Sequence, residues 1–213
     1  MSKTIKPETA KKQLTMKLYY SPGACSMASH ILFNEWDIPN TIESVDLRTH
    51  KTEKGEDFYK INPKGYVPVL ILDNGHTLTE NIAILSYLSD SKGAIKGDRY
   101  QFLEWLAFIS TELHKGIGSL FGYPDGPQEV VKGIKDKVAK RLKLVDDHLA
   151  GKDFMFGDSF SAADAYLVTI LNWCPKFKID LIPYKNINDY FKRMMVRPSI
   201  YKTLQQEGLV KGQ

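Results

Sequence analysis

A chain of 213 residues, 43% hydrophobic and 25% charged, has the composition of an ordinary globular protein and is long enough for one large or two small domains. The formal charge of +4 comes from dispersed lysines, and without a basic stripe interleaved with aromatic residues no nucleic-acid partner is expected. No run approaches the roughly 18 apolar residues of a membrane-spanning helix, so no membrane partner is expected either.

Residues 1–15 contain four lysines but no continuous apolar core, and are interpreted as a short N-terminal extension and not as a secretory signal. Farther along, Cys25 and Cys174 are widely separated and neither belongs to a CxxC pair. This argues against a disulfide scaffold and against a thiolate-bound zinc site, and no metal is expected. A reducing, cytoplasmic location fits these cysteines best.

Residues 16–91 alternate between strand and helix patterns. The predicted elements are a strand at 17–20, a helix from Ala24 to Trp36, a strand at 41–47, strands at 69–72 and 76–79, and a helix at 82–88. Asp73-Asn74-Gly75 between two apolar runs predicts a β-hairpin. The order β-α-β then β-β-α predicts an α/β, thioredoxin-like N-terminal domain.

A small, polar stretch from Ser91 to Asp98 has the composition of a linker. Residues 99–213 then show no convincing strand and predict an all-helical domain of four or five amphipathic helices, the first at 100–115. Ser161 to Asp164 has the spacing of a capping box and opens an apolar helix that runs to Trp173.

The segment Tyr20–Ser26 brings a phenol, a thiol and two hydroxyls to the start of a helix. Free N–H groups and the positive end of the helix dipole stabilise a thiolate there, either that of Cys25 or that of a bound thiol. The same pattern also fits a plain turn with a half-buried cysteine.

Two further segments suit a peptide ligand. Pro68 precedes a strand and, in a thioredoxin-like fold, is expected to be cis, which would turn the backbone of Val67 toward an extended ligand. Glu80 can accept from an α-ammonium group, and the helix start at Asn81 favours a carboxylate. In the alternative interpretation, Glu80 and Asn81 are only the residues at which a helix begins.

His114 and Lys115 end the first helix after the linker. In one interpretation these two side chains have no role beyond a favourable interaction with the helix dipole. Alternatively His114 faces the Tyr20–Ser26 segment across a cleft, where it would hydrogen-bond a thiol or accept its proton.

Together these segments closely resemble the bacterial beta-class glutathione S-transferases. The residues that carry the resemblance are Tyr19–Ser26, Asn62–Pro68, Leu78–Glu80 and Thr111–Lys115. The resemblance extends from Met16 almost to the C-terminus. It implies the glutathione transferase fold and a cytosolic homodimer with a glutathione site in each subunit, with no cofactor beyond glutathione as co-substrate.

The resemblance also implies roles for individual residues. Cys25, Ser26, His114 and, less directly, Tyr20 would surround the glutathione sulfur. Val67 with Pro68 would pair with the cysteinyl backbone, and Glu80 with Asn81 would hold the γ-glutamyl end. Lys115 would approach from the helical domain.

The chain departs from the usual pattern at four places. His50, with Lys51 beside it, stands where the family often has a lysine for the glycyl carboxylate. Ala107 replaces an asparagine that reaches across the dimer, and Asn81 replaces a small Ser or Gly. The linker is several residues shorter.

The leading hypothesis is conjugation, in which the glutathione thiolate attacks an electrophilic, partly apolar small molecule near Phe121, Tyr123 and Trp173. Because beta-class enzymes can form a mixed disulfide at this cysteine, thiol–disulfide exchange through Cys25 is a second hypothesis. The third is a non-catalytic binding or regulatory module on the same fold.

Overall fold

The computed structural model of the protein describes residues 15–210. The predicted N-terminal extension therefore lies, except for Thr15, outside the described residues. Within residues 15–210 no helix combines the length and apolar character needed to cross a bilayer.

The first part of the molecule is a five-stranded mixed sheet in the order β3-β2-β1-β4-β5. Its strands are β1 Met16–Tyr20, β2 Asn40–Asp46, β3 Lys51–Thr52, β4 Val69–Ile71 and β5 Thr77–Thr79. β1 and β2 are parallel, whereas β4 pairs antiparallel with both β1 and β5. The predicted β-α-β unit and hairpin are thus confirmed, and only the two-residue β3 had no sequence signal.

Helix α1, Met27–Glu35, packs on this sheet and begins three residues later than its apolar spacing predicts. The residues in between form turns, in which Ala24 donates its N–H to Ser21 O and Met27 donates to Ala24 O, both at 3.0 Å. Cys25 consequently lies in a turn immediately before the helix, with Ser26 at the N-cap position.

The remaining helices are α2 Asn81–Ser91, α3 Arg99–Phe108, α4 Lys115–Ser119, α5 Gln128–His148, α6 Ala162–Leu171, α7 Lys185–Met195 and α8 Pro198–Gln206. After Thr79 the structure contains no strand in the part of the chain that it describes. The thioredoxin-like sheet domain followed by helices confirms the predicted fold class.

A π-helical turn, Ile109–His114, joins α3 to α4 in one continuous helix. Such turns are rare and occur often at functional sites. Because the turn widens the helix locally, it changes the direction in which His114 leaves the helix axis. Nothing in the sequence around Thr111 distinguishes it from an ordinary α-helix.

Helix α6 is the centre of the helical part, and all ten of its residues are buried. The predicted capping box is present, with Ser161 at the N-cap and Asp164 at its third helical position. The Asp164 carboxylate also accepts hydrogen bonds from Met155 N at 2.7 Å and from the Tyr190 hydroxyl at 3.0 Å. A helix of this composition can only be stable inside a core.

One hydrophobic core runs through the sheet side and the helical side, since α1 packs against both α6 and α8. At the edge of this contact Arg197 donates to Glu35 from Nε at 2.8 Å and from Nη2 at 2.5 Å, and Ser199 donates to the same carboxylate. The two halves therefore form one packed unit, which fixes the cleft between them.

Candidate functional site

A cavity of about 410 Å³ lies in that cleft. It is lined by residues from the turn before α1, the approach to β4, the start of α2, the π-turn and α6. They are Ala24, Cys25, Leu47, Tyr66, Val67, Pro68, Glu80, Asn81, Ser110, His114, Lys115 and Tyr166. Seven of the eleven residues predicted for catalysis or glutathione binding are in this set.

The Cys25 thiol is at the wall of the cavity and donates a hydrogen bond to Val67 O at 3.5 Å. Burial raises the pKa of this thiol to about 11, although the backbone N–H groups of Cys25 and Ser26 and the charge of Lys115 act to lower it. The sequence predicted stabilisation by N–H groups at the helix start, but it gave no such role to Lys115 and could not weigh these contributions against desolvation. At neutral pH the free protein holds Cys25 as a neutral thiol.

The turn that carries Cys25 is held by the helical part of the molecule. Gly23 donates its N–H to Glu207 Oε2 at 2.7 Å and accepts from Trp173 Nε1 at 2.7 Å. The other oxygen of Glu207 is 2.9 Å from His30 Nδ1. Sequence reasoning missed His30 and Glu207, because they are 177 positions apart and only the fold brings them together.

Two predicted residues of the same segment do not line the cavity. Ser26 is 0% exposed, and its hydroxyl accepts from Ser21 N at 3.2 Å. Tyr20 belongs to the hydrophobic core, where its ring packs against His30 with centroids 5.5 Å apart. Neither Ser26 nor Tyr20 is therefore among the residues that line the cavity.

The approach to β4 matches the prediction for an extended ligand. The Val67–Pro68 peptide bond is cis, as expected, and both residues line the cavity. Asn62 supports this segment by donating from Nδ2 to Tyr66 O at 2.7 Å. The carbonyl oxygen of Val67 already accepts a hydrogen bond from the Cys25 thiol.

Glu80 lies at the cavity rim, and its Oε1 accepts from Lys64 Nζ at 2.5 Å and from the Tyr66 hydroxyl at 2.7 Å. These two hydrogen bonds, together with the charge of Lys64, hold the pKa of Glu80 below its usual range. Its φ of 73° is in the left-handed region and directs the chain into α2. Lys64 and Tyr66 were not predicted as site residues.

Asn81, the first residue of α2, joins the cavity to the turn before α1. Its side chain donates from Nδ2 to Cys25 O at 3.3 Å and accepts at Oδ1 from Ser29 at 3.4 Å. The amide therefore positions the backbone that carries the thiol, a pair of contacts that a shorter serine side chain at this position could not make.

His114 enters the cavity from the π-turn, and its Nδ1 is 2.6 Å from the Tyr166 hydroxyl. Burial, followed by the charge of Lys115, lowers the pKa of His114 to about 4. The imidazole is therefore neutral near pH 7, while Lys115 contributes an exposed cation to the rim.

His50 and Lys51 do not reach the cavity lining. His50 has a φ of 51° and packs its ring against Tyr59, with centroids 4.5 Å apart. Lys51 is exposed on β3. Leu47, which was not predicted as a site residue, does line the cavity.

A second cavity of about 320 Å³ adjoins the first and shares His114 and Lys115 with it. Phe121 and Trp173, both predicted to contact a second substrate, line this cavity with their rings 5.3 Å apart. Tyr123 does not: the structure places it in a separate cavity. Among residues 15–210 no group of three or more His, Cys, Asp or Glu side chains could hold a metal ion.

Comparison with known proteins follows the same division of the chain. The family model for the glutathione S-transferase N-terminal domain matches residues 23–91, and that for the glutathione S-transferase C-terminal domain matches residues 108–198. The chain is 42% identical to the glutathione S-transferase GstA of Escherichia coli O157:H7, over 91% of this chain and 100% of that protein.

Solved structures agree with both models. A beta-class glutathione S-transferase from Sphingomonas chungbukensis is 40% identical, with a TM-score of 0.85 over 91% of this chain and 100% of that one. A sphingomonad glutathione S-transferase in complex with glutathione is similar to the same extent, with 40% identity, a TM-score of 0.85 and the same coverage.

Proposed function

This chain belongs to the glutathione S-transferase family, and we propose from that premise that its larger cleft cavity binds glutathione with the sulfur between Cys25 and His114. The chain is thus a glutathione-using transferase, with neighbours of the beta class. The observation that supports this placement is the convergence of Cys25, Val67, Glu80 and His114, from four separate segments, on one cavity.

Glu80 and the start of α2 suit the γ-glutamyl end. The Glu80 carboxylate accepts a charge-assisted hydrogen bond from an ammonium group, as it does from Lys64 in the free protein. The backbone N–H groups of the first turn of α2 offer the complementary site for the α-carboxylate. Lys64 and the ligand ammonium then share one acceptor, so that binding shifts the position of Lys64.

The Val67 backbone suits the cysteinyl residue, which would pair with it as an added strand. In the free protein Val67 O accepts from the Cys25 thiol. A cysteinyl N–H that takes over this carbonyl releases the thiol toward the ligand sulfur. Glutathione binding and the hydrogen bonding of Cys25 are in this way coupled through one oxygen atom.

Conjugation is the reaction that this geometry favours. Because the pKa of Cys25 is about 11, Cys25 is a poor nucleophile in the free protein, whereas a bound glutathione thiolate would receive backbone N–H groups and the Lys115 charge. The sulfur would then attack an electrophile held in the adjoining cavity against Phe121 and Trp173.

The test is the affinity for glutathione and the rate of conjugation to a chlorodinitrobenzene, in wild type and in Glu80→Gln. Loss of the charged acceptor should weaken the calorimetric Kd for glutathione by about tenfold or more. Glu56→Gln, at an exposed position outside the cavity lining, is the matched control and should bind as wild type does. A wild type that does not bind glutathione, or a Glu80→Gln variant that binds it unchanged, contradicts the proposal.

We also propose that the protein works as a homodimer in the cytoplasm. Glutathione S-transferases are generally dimeric, and both cysteines of this chain are free thiols, which suits a reducing compartment. Sedimentation equilibrium would measure the assembly, and fractionation of cells that express the protein would measure its location. A monomer at micromolar concentration would contradict the proposed homodimer. Recovery outside the cytoplasmic fraction would contradict the proposed location.

A further inference from the structure

Tyr166 is a fully buried residue of the central helix α6 that nevertheless borders the cavity. The rest of its helix is apolar apart from Asp164 and Thr169, so a phenol at this position calls for a partner. That partner is His114, whose Nδ1 is 2.6 Å from the phenol oxygen. The rings meet edge to face, at an interplanar angle of 81°.

The proton in this hydrogen bond can belong to either group. Burial raises the pKa of Tyr166 to about 12 and lowers that of His114 to about 4, so both groups are neutral near pH 7. A neutral imidazole carries one N–H. If Tyr166 donates, His114 has its proton on Nε2. If Nδ1 donates, Nε2 is a bare acceptor.

The chemistry of the two groups decides between the two arrangements. A phenol O–H is a stronger acid than an imidazole N–H, and an unprotonated imidazole nitrogen is a stronger base than a phenol oxygen, so the hydrogen bond between the two neutral groups runs from the phenol to the ring nitrogen. The distance of 2.6 Å between the Tyr166 oxygen and His114 Nδ1 is shorter than an N–H donor usually makes to an oxygen and fits an O–H donor. Tyr166 therefore directs its hydrogen to Nδ1.

We propose that Tyr166 is a positioning residue that holds His114 as the tautomer protonated on Nε2, so that His114 presents an N–H donor to the glutathione sulfur. The inference rests on the glutathione site proposed above. Nε2 has no hydrogen-bond partner in the described part of the chain, and its ring lines both cavities of the cleft. The other titratable groups that act on the pair are the neutral Cys25 thiol and the Lys115 ammonium.

This assignment makes His114 a stabiliser of the thiolate and not a base. The glutathione thiol gives its proton to a base in solution, and the sulfur then accepts the hydrogen bond from His114 Nε2–H. An imidazole with a pKa of about 4 would be a weak acceptor for that proton. A donor that is already oriented lowers the pKa of the bound thiol and needs no rearrangement during the reaction.

The first measurement is made on the free protein. Nitrogen-15 NMR of histidine-labelled wild type should show His114 Nδ1 as a bare nitrogen and Nε2 as a protonated one near neutral pH. A proton on Nδ1 overturns the proposal. Because no glutathione is present, this result does not depend on whether the protein binds it, and it stands even if a variant fails to fold.

The second measurement uses Tyr166→Phe in complex with glutathione. The thiolate absorbance against pH should show the thiol pKa raised by about one unit, and kcat for conjugation below that pKa should fall roughly tenfold. The KM for glutathione should stay within about twofold, and the rates should converge at high pH. An unchanged thiol pKa in Tyr166→Phe overturns the proposal.

Tyr190→Phe is the matched control. Tyr190 is equally buried, and its hydroxyl donates to Asp164 at 3.0 Å and not to the cavity. The variant should lose stability and keep the thiol pKa and the His114 tautomer of wild type. If Tyr190→Phe moves the thiol pKa as far as Tyr166→Phe does, the effect is one of packing and the proposal fails. Absence of glutathione binding by wild type would instead refute the proposed function.

Discussion

Cys25 illustrates how burial competes with the features that a sequence displays. Its turn offers two backbone N–H groups and a nearby lysine, all of which favour a thiolate. The surrounding protein excludes water from the sulfur, and this desolvation outweighs the three favourable contributions, so the pKa rises to about 11. A residue type in a favourable motif therefore indicates where chemistry occurs more reliably than which atom performs it.

Replacement of Cys25 by alanine separates the two chemistries. We expect Cys25→Ala to lose glutathione-dependent disulfide reduction and to keep conjugation within about a factor of three, because the sulfur of glutathione does the attack. Steady-state assays of both reactions on one preparation measure this. Cys174→Ala removes the other thiol, which is fully buried and lines neither cavity, and should keep both activities. Loss of both activities in Cys25→Ala would contradict the assignment of disulfide reduction to Cys25 and of conjugation to the glutathione sulfur.

At the scale of elements, the start of α6 depends on one buried carboxylate. Asp164 accepts from Ser161 N at 2.9 Å, from Met155 N at 2.7 Å and from Tyr190. Asp164→Ala leaves these donors buried without a partner and should lower the free energy of unfolding by about 3 kcal/mol. Urea denaturation followed by circular dichroism measures the change.

The control for this prediction is Asp136→Ala on α5. Asp136 makes an exposed ion pair with Lys132 at 2.6 Å, four residues before it, and its loss should cost less than about 0.5 kcal/mol. Equal destabilisation by the two variants would show that the capping box does not stabilise the helix as described.

The elements that sequence reasoning predicted well have strong local signals. The Asp73-Asn74-Gly75 turn and the Ser161–Asp164 box act through neighbouring residues, so that their structure follows from a few positions. The π-turn that directs His114 has no such signal, because the same residues fit an α-helix equally well. Its geometry depends on packing against other parts of the chain.

The candidate site divides in the same way. Cys25, Val67, Glu80 and His114 could be predicted because each stands in a motif of several residues. Tyr166 could not, since a tyrosine in an apolar helix reads as core until the fold brings His114 to its hydroxyl. Conversely Tyr20 and Ser26 stand in the same motif as Cys25 but are buried outside the cavity lining, which a one-dimensional pattern does not encode.

At the scale of the whole molecule, the Glu35–Arg197 pair joins the sheet part to the helical part. Burial alone would raise the pKa of Glu35, but hydrogen bonds from Arg197 and Ser199 outweigh it and hold that pKa below its usual value of 4.5. A lowered pKa in the folded state means that this pair contributes stability above the unfolded pKa. The contribution is lost as pH falls through the folded pKa.

We expect Glu35→Ala to lower the free energy of unfolding by about 3 kcal/mol at neutral pH, because it leaves Arg197 half-buried without its partner. The difference from wild type should shrink as pH falls below about 4.5. Urea titrations at several pH values measure both effects. Asp189→Ala, which removes an exposed pair with Lys185, is the control and should change stability little. A difference that grows in acid would contradict the assignment.

The contact between Trp173 and the turn before α1 has an optical consequence. The chain has three tryptophans, and Trp173 alone donates its indole N–H to the backbone of Gly23, beside Cys25. Its ring also packs edge to face against His114 and Phe121, which line the second cavity with it. The emission of this indole is therefore sensitive to the second cavity, which it lines, and to the turn that borders the first. We expect a ligand that displaces the turn or covers the ring to change the intrinsic fluorescence of the protein.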